Sequence, residues 1–417
     1  MAFLLFIYTT NKLLFFSNIF FWVSWVWVMS SLIFIEQGAF ITEQNRFGVP
    51  IGSPYKFFLY ILSFSISGIL LFHLNRNNHK KMSNFFREKN SDYDPFYFFL
   101  VLFFVLLICF SLAYAMNGLP LLLAIERFSY WEGIEVLRRA VYVTPIATFF
   151  LGMSFAHTKK IFKVLILILL CGILFLFGEK FTGPYLNIAY FFTGYYLVSN
   201  LKHIDINYGF ERQVIFIWGP LLFISLTILV AIGYLILNSF AADEVADQII
   251  QRALGLQGHT WYGVDYNLMN GHIQHQNDLF LKEYSSEYPA GMESIMYSIS
   301  NSDFVKATRD LGIRFTNGYP AIVLLSFGFD AGLVAQFFLG FIFFIFYFYM
   351  IRTICFGQHL RLFMFLVFFN NILTNVFLEG EIFYVFRPLS MIIVFLMFID
   401  VLFFKFVNIK NVFYKHN

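Results

Sequence analysis

The chain has 417 residues, 59% of them hydrophobic and only 13% charged, with a formal net charge of +3. A soluble domain carries roughly 25% charged residues, so the composition excludes a soluble enzyme, and the small net charge argues against a nucleic-acid partner. A mean hydropathy of +0.71 places the chain among integral membrane proteins, read here as one continuous all-α membrane domain.

Windows of apolar sequence predict about ten spans, at 13–35, 56–74, 95–115, 140–156, 161–177, 184–199, 213–237, 331–350, 362–378 and 382–404. The first is too long for a signal-peptide core and lacks a clear cleavage site, so it reads as a retained span. The fourth to sixth are short, which points to tilt or shifted ends. Segment 319–329 reads either as an interfacial helix or as the start of the eighth span. The 61 phenylalanines read as lipid-facing and packing side chains. Of the three cysteines, Cys109 and Cys171 lie in apolar runs and Cys355 in a short basic loop, so no disulfide framework is expected.

The division that follows is 1–237 (spans one to seven), 238–320 (one large polar loop) and 321–417 (spans eight to ten and a tail). With the N-terminus inside, the inner connections hold Arg76, Lys80, Lys81, Arg87, Lys89, Lys159, Lys160, Lys202, Arg212, Arg352 and Arg361. The tail adds Lys405, Lys410 and Lys415. Just over half of the 28 basic residues then fall inside and most of the 25 acidic residues outside. This bias places both termini in the cytoplasm and the long loop on the far side. Within that loop, Asp243 to Leu254 has helical periodicity, with Gly255 as its stop. The aromatic pair Trp261-Tyr262, the polar run Gly271 to Asp278 and a break at Pro289-Ala290-Gly291 follow. Short helices are expected after Gly291 and from Asp303 to Leu311.

The outer side carries an unusual set of cations for that side of a membrane: Arg46, Lys56, Arg127, Arg138, Arg139, Lys180 and Arg387, with Arg252, Lys282, Lys306, Arg309 and Arg314 in the loop. Guanidinium forks match phosphate oxygens, so such a cluster suits a lipid-linked pyrophosphate. The structural alternative is pairing with Glu126, Glu179, Glu379 or Glu381. His259, His272 and His275 are the loop's proton carriers. The spacing of His272 and His275 suits a metal pair on a helix, but no third ligand stands at useful spacing. Asp92-Tyr93-Asp94 resembles a metal-binding Asp-x-Asp; its plainer reading is a solvated loop end. No phosphate-binding glycine loop of the ATPase type is present.

Three stretches carry a resemblance to a known family. They are Arg252-Ala253-Leu254-Gly255-Leu256-Gln257-Gly258-His259-Thr260-Trp261-Tyr262, the segment Gly312 to Pro320 continuing to Gly328, and Glu126-Arg127-Phe128-Ser129-Tyr130-Trp131. Together with the layout of many spans and one late outer loop, they resemble bacterial O-antigen and related oligosaccharide repeat-unit polymerases. The resemblance implies a glycosyltransferase in the bacterial inner membrane, working at its periplasmic face without metal or other cofactor. Its partners would be an oligosaccharide on undecaprenyl pyrophosphate, the bilayer, and a polysaccharide chain-length regulator. A growing glycan would pass from its lipid carrier to the end of a single lipid-linked repeat unit.

On that reading Arg252 and Arg314 hold the pyrophosphate or an adjoining sugar, with Arg127 and Lys180 as second choices. Fixed cations in a water-poor site stabilise the departing charge. Gln257 and Asn317 bind sugar hydroxyls, and Trp261 and Tyr319 stack on or shape the glycan path. His259 is the general base, with Glu126 or Glu381 as alternatives. Two competing functions remain: an O-antigen ligase, which shares layout and donor, and a non-enzymatic flippase, for which paired halves and mid-span charges are expected.

Overall fold

The computed structural model describes residues 18–90, 94–123, 130–158, 160–179, 182–202, 255–275, 291–310 and 318–378, with isolated positions beside them and a broken run from 380 to 399. These residues are mostly helical. Helices occupy Ile19–Glu36 (α1), Ser53–Leu74 (α2), Arg76–Lys89 (α3), Phe96–Asn117 (α4), Glu135–His157 (α5), Ile161–Leu176 (α6) and Thr182–Leu201 (α7). After the outer loop they resume at Ala321–Cys355 (α11) and His359–Ile372 (α12), the latter running into a π turn, Leu373–Leu378. Among the described residues, five stretches, Ser53–Leu74, Phe96–Asn117, Glu135–His157, Ala321–Cys355 and His359–Phe377, are long and apolar enough to cross a membrane. The predicted seventh span, 213–237, lies outside the described residues.

Helix α5 is the core of the bundle, buried from Thr144 through Ala156. Pro145 stands within it. A proline cannot bond the carbonyl four residues back, and Thr144 Oγ1 donates to that carbonyl, on Val141, at 2.8 Å. The helix persists because its freed acceptor is satisfied locally, as hydrocarbon surroundings require.

Helices in lipid gain little from apolar burial against one another and depend on close approach. Two seams show this. A Cβ on Gly152 of α5 would stand 1.9 Å from the Phe191 carbonyl oxygen of α7, and one on Gly194 of α7 would stand 2.3 Å from the Phe149 oxygen. In α11, Gly328, Gly332, Gln336 and Gly340 recur every fourth residue, and all are buried. A Cβ at Gly332 would meet Tyr60 of α2 and one at Gly340 would meet Ser67 and Phe64. Polar bonds add to the second seam, with Tyr60 OH donating to the Gly328 carbonyl (2.8 Å) and Ser63 Oγ to that of Leu333 (2.7 Å).

Segment 319–329 combines features of both sequence readings. Helical hydrogen bonding continues from Ala321 to Cys355, but Gly328 has φ 74° and ψ −172°, which divides the run into a short buried helix and a long one. Glycine tolerates this left-handed backbone.

Several connections gather at one end of the bundle. Ser83 of α3 donates to the Leu201 carbonyl (3.0 Å), and Asn90 Nδ2 to that of Cys355 (2.7 Å). Lys202 Nζ lies 2.8 Å from His157 Nδ1. Lys163, 1% exposed, donates to the Ser154 carbonyl (2.7 Å) and to Thr158 Oγ1 (2.7 Å), with Asp94 at 3.5 Å. Asp94 also accepts from Phe96 N at 3.1 Å, so this half of the Asp-x-Asp caps a helix.

Gly152→Val should disrupt the α5–α7 seam and cost about 3 kcal/mol through overpacking. Thermal denaturation followed by fluorescence-detected size exclusion checks this; an unchanged midpoint would contradict so close a backbone approach.

Candidate functional site

At the opposite end, the connection between α1 and α2 and the described part of the 238–320 loop fold onto each other. The loop supplies helices His259–Met269 (α8), Met292–Ile299 (α9) and Ser302–Asp310 (α10). The last two stand where the sequence placed short helices. Helix α8 carries the aromatic pair Trp261-Tyr262, where the sequence suggested no helix, and ends before the polar run that begins at Gly271. Its stop is Asn270-Gly271, with Gly271 at φ 69° and His272 N bonding back to the Asn267 carbonyl at 2.9 Å. The segment 243–254 lies outside the described residues.

Helix α8 is fastened to the outer ends of α1 and α2. Ser31 of α1 accepts from Gly258 N (2.9 Å) and donates to the Gly255 carbonyl (2.8 Å). A Cβ on Gly258 would stand 3.0 Å from Leu32 Cγ and from Ser31 Oγ. Asp265 is the second fastening. It accepts from Ser53 Oγ (2.5 Å) and from Lys56 Nζ (2.7 Å), with its side chain 4% exposed against 23% for the lysine. Glu36 Oε1 accepts from Ser53 N at 2.7 Å and so caps the same first turn of α2. Trp261 wedges against Phe57 and Tyr60 of α2, at ring-centre distances of 5.2 and 4.9 Å.

Between α1 and α2 a two-stranded ribbon, Phe40–Ile41 (β1) with Arg46–Phe47 (β2), covers the other flank of α8. Gln44 Nε2 donates to the His259 carbonyl (2.7 Å). Tyr262 OH donates to the Val49 carbonyl (3.2 Å) and accepts from Val49 N (2.7 Å). Ser300 Oγ donates to the Glu43 carbonyl (2.6 Å), and Asn267 Nδ2 to that of Ser298 (2.7 Å), which ties α9 to the ribbon and to α8.

His259 is 1% exposed at the start of α8. Its Nδ1 lies 2.5 Å from the Leu256 carbonyl. A carbonyl only accepts, so Nδ1 carries the proton and the neutral ring keeps its lone pair on Nε2. Among the described residues, Nε2 is buried without a hydrogen-bond partner, as is Oε2 of the nearby Glu43. Burial lowers the histidine's pKa below 6.5, against the opposing pull of Glu43 and the Leu256 carbonyl. The result is a neutral imidazole with its basic nitrogen free, closed off by the Phe315 ring at 4.9 Å.

Among the other sequence candidates, Gln257 lies in the turn leading into α8. Tyr319 faces inward, its OH donating to Gln336 Oε1 (2.6 Å) and its ring against Phe377 (4.7 Å). Trp261 and Tyr319 are both taken up in packing here rather than presented on an open surface. Arg252, Glu126, Arg127, Lys180, Arg314 and Asn317 lie outside the described residues. Glu381 pairs with Arg387 at 2.9 Å. Sequence reasoning named Arg46 and Lys56 only as members of the outer cation set and passed over Gln44, Asp265 and Asn267. The recurrence of Trp261, Asp265 and Met269 every fourth residue is the signal that marks one face of α8.

Asp265→Asn should leave the Lys56 ammonium without its counter-charge and loosen α8 by about 1–3 kcal/mol, read as faster amide exchange across 255–269. An unchanged exchange pattern would remove Asp265 as a fastening. For His259, the unfolded ring takes a proton near pH 6.5 while the folded ring resists it. The stability is therefore fully present above about pH 6.5 and declines as pH falls toward the lower folded pKa. His259→Gln should flatten that acid-side decline in the thermal midpoint, and a decline of equal size in the variant would assign it elsewhere.

Residues 285–394 match a protein family of unknown function, DUF6418. No curated protein and no solved structure matches the chain.

Proposed function

We propose that the chain is a glycosyltransferase of the inner membrane that polymerises lipid-linked oligosaccharide repeat units. In this reading it has ten spans and cytoplasmic termini, and its 238–320 loop faces the periplasm. The observation that carries the proposal is the state of His259: a neutral imidazole held by its Nδ1 proton, with a free Nε2, in a loop helix fastened to the bundle. A base for a sugar hydroxyl needs that tautomer and a pKa at or below the working pH.

The reaction is a single exchange. The acceptor hydroxyl oxygen bonds to the donor's anomeric carbon, and its proton passes to His259 Nε2. The bond from that carbon to the pyrophosphate oxygen breaks, and the lipid pyrophosphate departs with the bonding pair. Arg252 and Arg314, with Arg127 and Lys180 as second choices, take up its charge. Nε2 is buried, so access to it requires neighbouring side chains to move.

The test is genetic and chemical. Deleting the gene should leave lipopolysaccharide core bearing one repeat unit; a core bearing none would mark a ligase, and an unchanged ladder would end the proposal. His259→Ala and Arg252→Ala should each lower polymer by about 10²-fold or more at unchanged membrane abundance. Full-length ladders from His259→Ala would remove it as the base.

A further inference from the structure

The cations described at the outer end differ in how their charge is met. Lys56 is neutralised by Asp265, and Arg387 by Glu381. Among the described residues, Arg46 is met by neutral groups. Its Nε and Nη2 donate to Gln44 Oε1 (2.8 and 2.5 Å), and its Nη1 to Asn267 Oδ1 (3.0 Å). Its guanidinium lies over the Tyr266 ring at 4.2 Å. Among the described residues no carboxylate stands within ion-pair distance of it. Burial draws its pKa down, yet arginine stays charged at any physiological pH.

A guanidinium has five N–H donors. Gln44 and Asn267 take three of Arg46's, leaving two. Amide oxygens and a tyrosine face fix the plane of the group without cancelling its charge. A side chain whose only task was to join the ribbon to α8 would do so at less desolvation cost as a neutral amide. The held but uncompensated charge suits an oxyanion.

Position separates two sources of that oxyanion. Lys56, in the first turns of α2 and so nearest the span, is spent on Asp265. Arg46 stands on the ribbon between α1 and α2, against Tyr266 of α8, whose helix ends at the exposed Asn270 and His272. His272 lies 6.3 Å from the Tyr266 ring and offers an aromatic face that a sugar can use and a pyrophosphate cannot. We infer that Arg46, positioned by Gln44, Asn267 and Tyr266, binds the acidic group of a sugar in the glycan, with His272 beside it. The inference rests on the glycosyltransferase reading and narrows its substrate to a glycan bearing acidic sugars.

The test uses full-length protein in nanodiscs with three probes: an oligogalacturonide, a neutral malto-oligosaccharide of equal length, and inorganic pyrophosphate. The oligogalacturonide should bind, more weakly as salt rises, and the neutral sugar should bind at least about tenfold more weakly. Arg46→Gln should lose about tenfold in affinity for the acidic probe, and Arg46→Lys, which keeps charge without the fork, should fall between. His272→Ala leaves the ribbon intact and should weaken the acidic probe about threefold, which keeps the test open if Arg46→Gln fails to fold. Equal affinity for neutral and acidic sugars, binding of pyrophosphate alone, or no effect of either substitution would overturn the inference. Failure here with the ladder result intact would strike the acidic-sugar assignment only; an unchanged ladder on gene deletion would strike the transferase reading instead.

Discussion

A buried carboxylate is central to how the 238–320 loop meets the helical bundle. Asp265 receives the Ser53 hydroxyl and the Lys56 ammonium, both from the opening turns of α2. A loop of this length has a large entropy to lose on ordering, offset in part by buried apolar residues such as Trp261, Val264, Ile295 and Met296. A buried, doubly satisfied acid fixes a register, because any slip of α8 would strand a charge in a poorly hydrated place. Everything proposed for His259 depends on that register, since the histidine sits nearly two turns earlier on the same helix.

The bundle that receives the loop is built on backbone proximity. Glycines at 152 and 194 let α5 and α7 approach with carbonyl oxygens where a side chain would stand, and the four-residue stripe of α11 does the same against α2. Lipid offers no hydrophobic advantage for helix association, so dispersion and short polar bonds hold the helices together. The left-handed break at Gly328 is part of the same seam, because the Tyr60 hydroxyl that bonds its carbonyl belongs to a ring that also packs on Trp261 of α8. Span seam and loop helix therefore meet on one side chain, and strain at one is felt at the other.

The two ends of the bundle treat charge differently. At the end that gathers α3 and the turns near residues 157, 201 and 355, Lys163 is buried among Ser154, Thr158 and Asp94. At the loop end, Asp265 and Lys56 form a close pair that anchors α8, whereas Glu43 lies near the neutral His259 and Arg46 is held by amide oxygens.

Apolar run length alone determined the helical membrane class and most helix positions, because a backbone in hydrocarbon must satisfy itself within each segment. The short helices after Gly291 and near Asp303 were also legible, since their breakers and caps are local. Helix α8 was not, because its aromatic and polar residues follow no single apolar stripe; its faces are divided among α1, α2, the ribbon and α9. The roles of Asp265, Lys56, Arg46 and Gln44 were likewise invisible, since their partners lie some two hundred residues away and no local pattern encodes that pairing. Sequence could nominate His259 as a base; only the tertiary structure decided which of its nitrogens is free, because that follows from a carbonyl placed against the other.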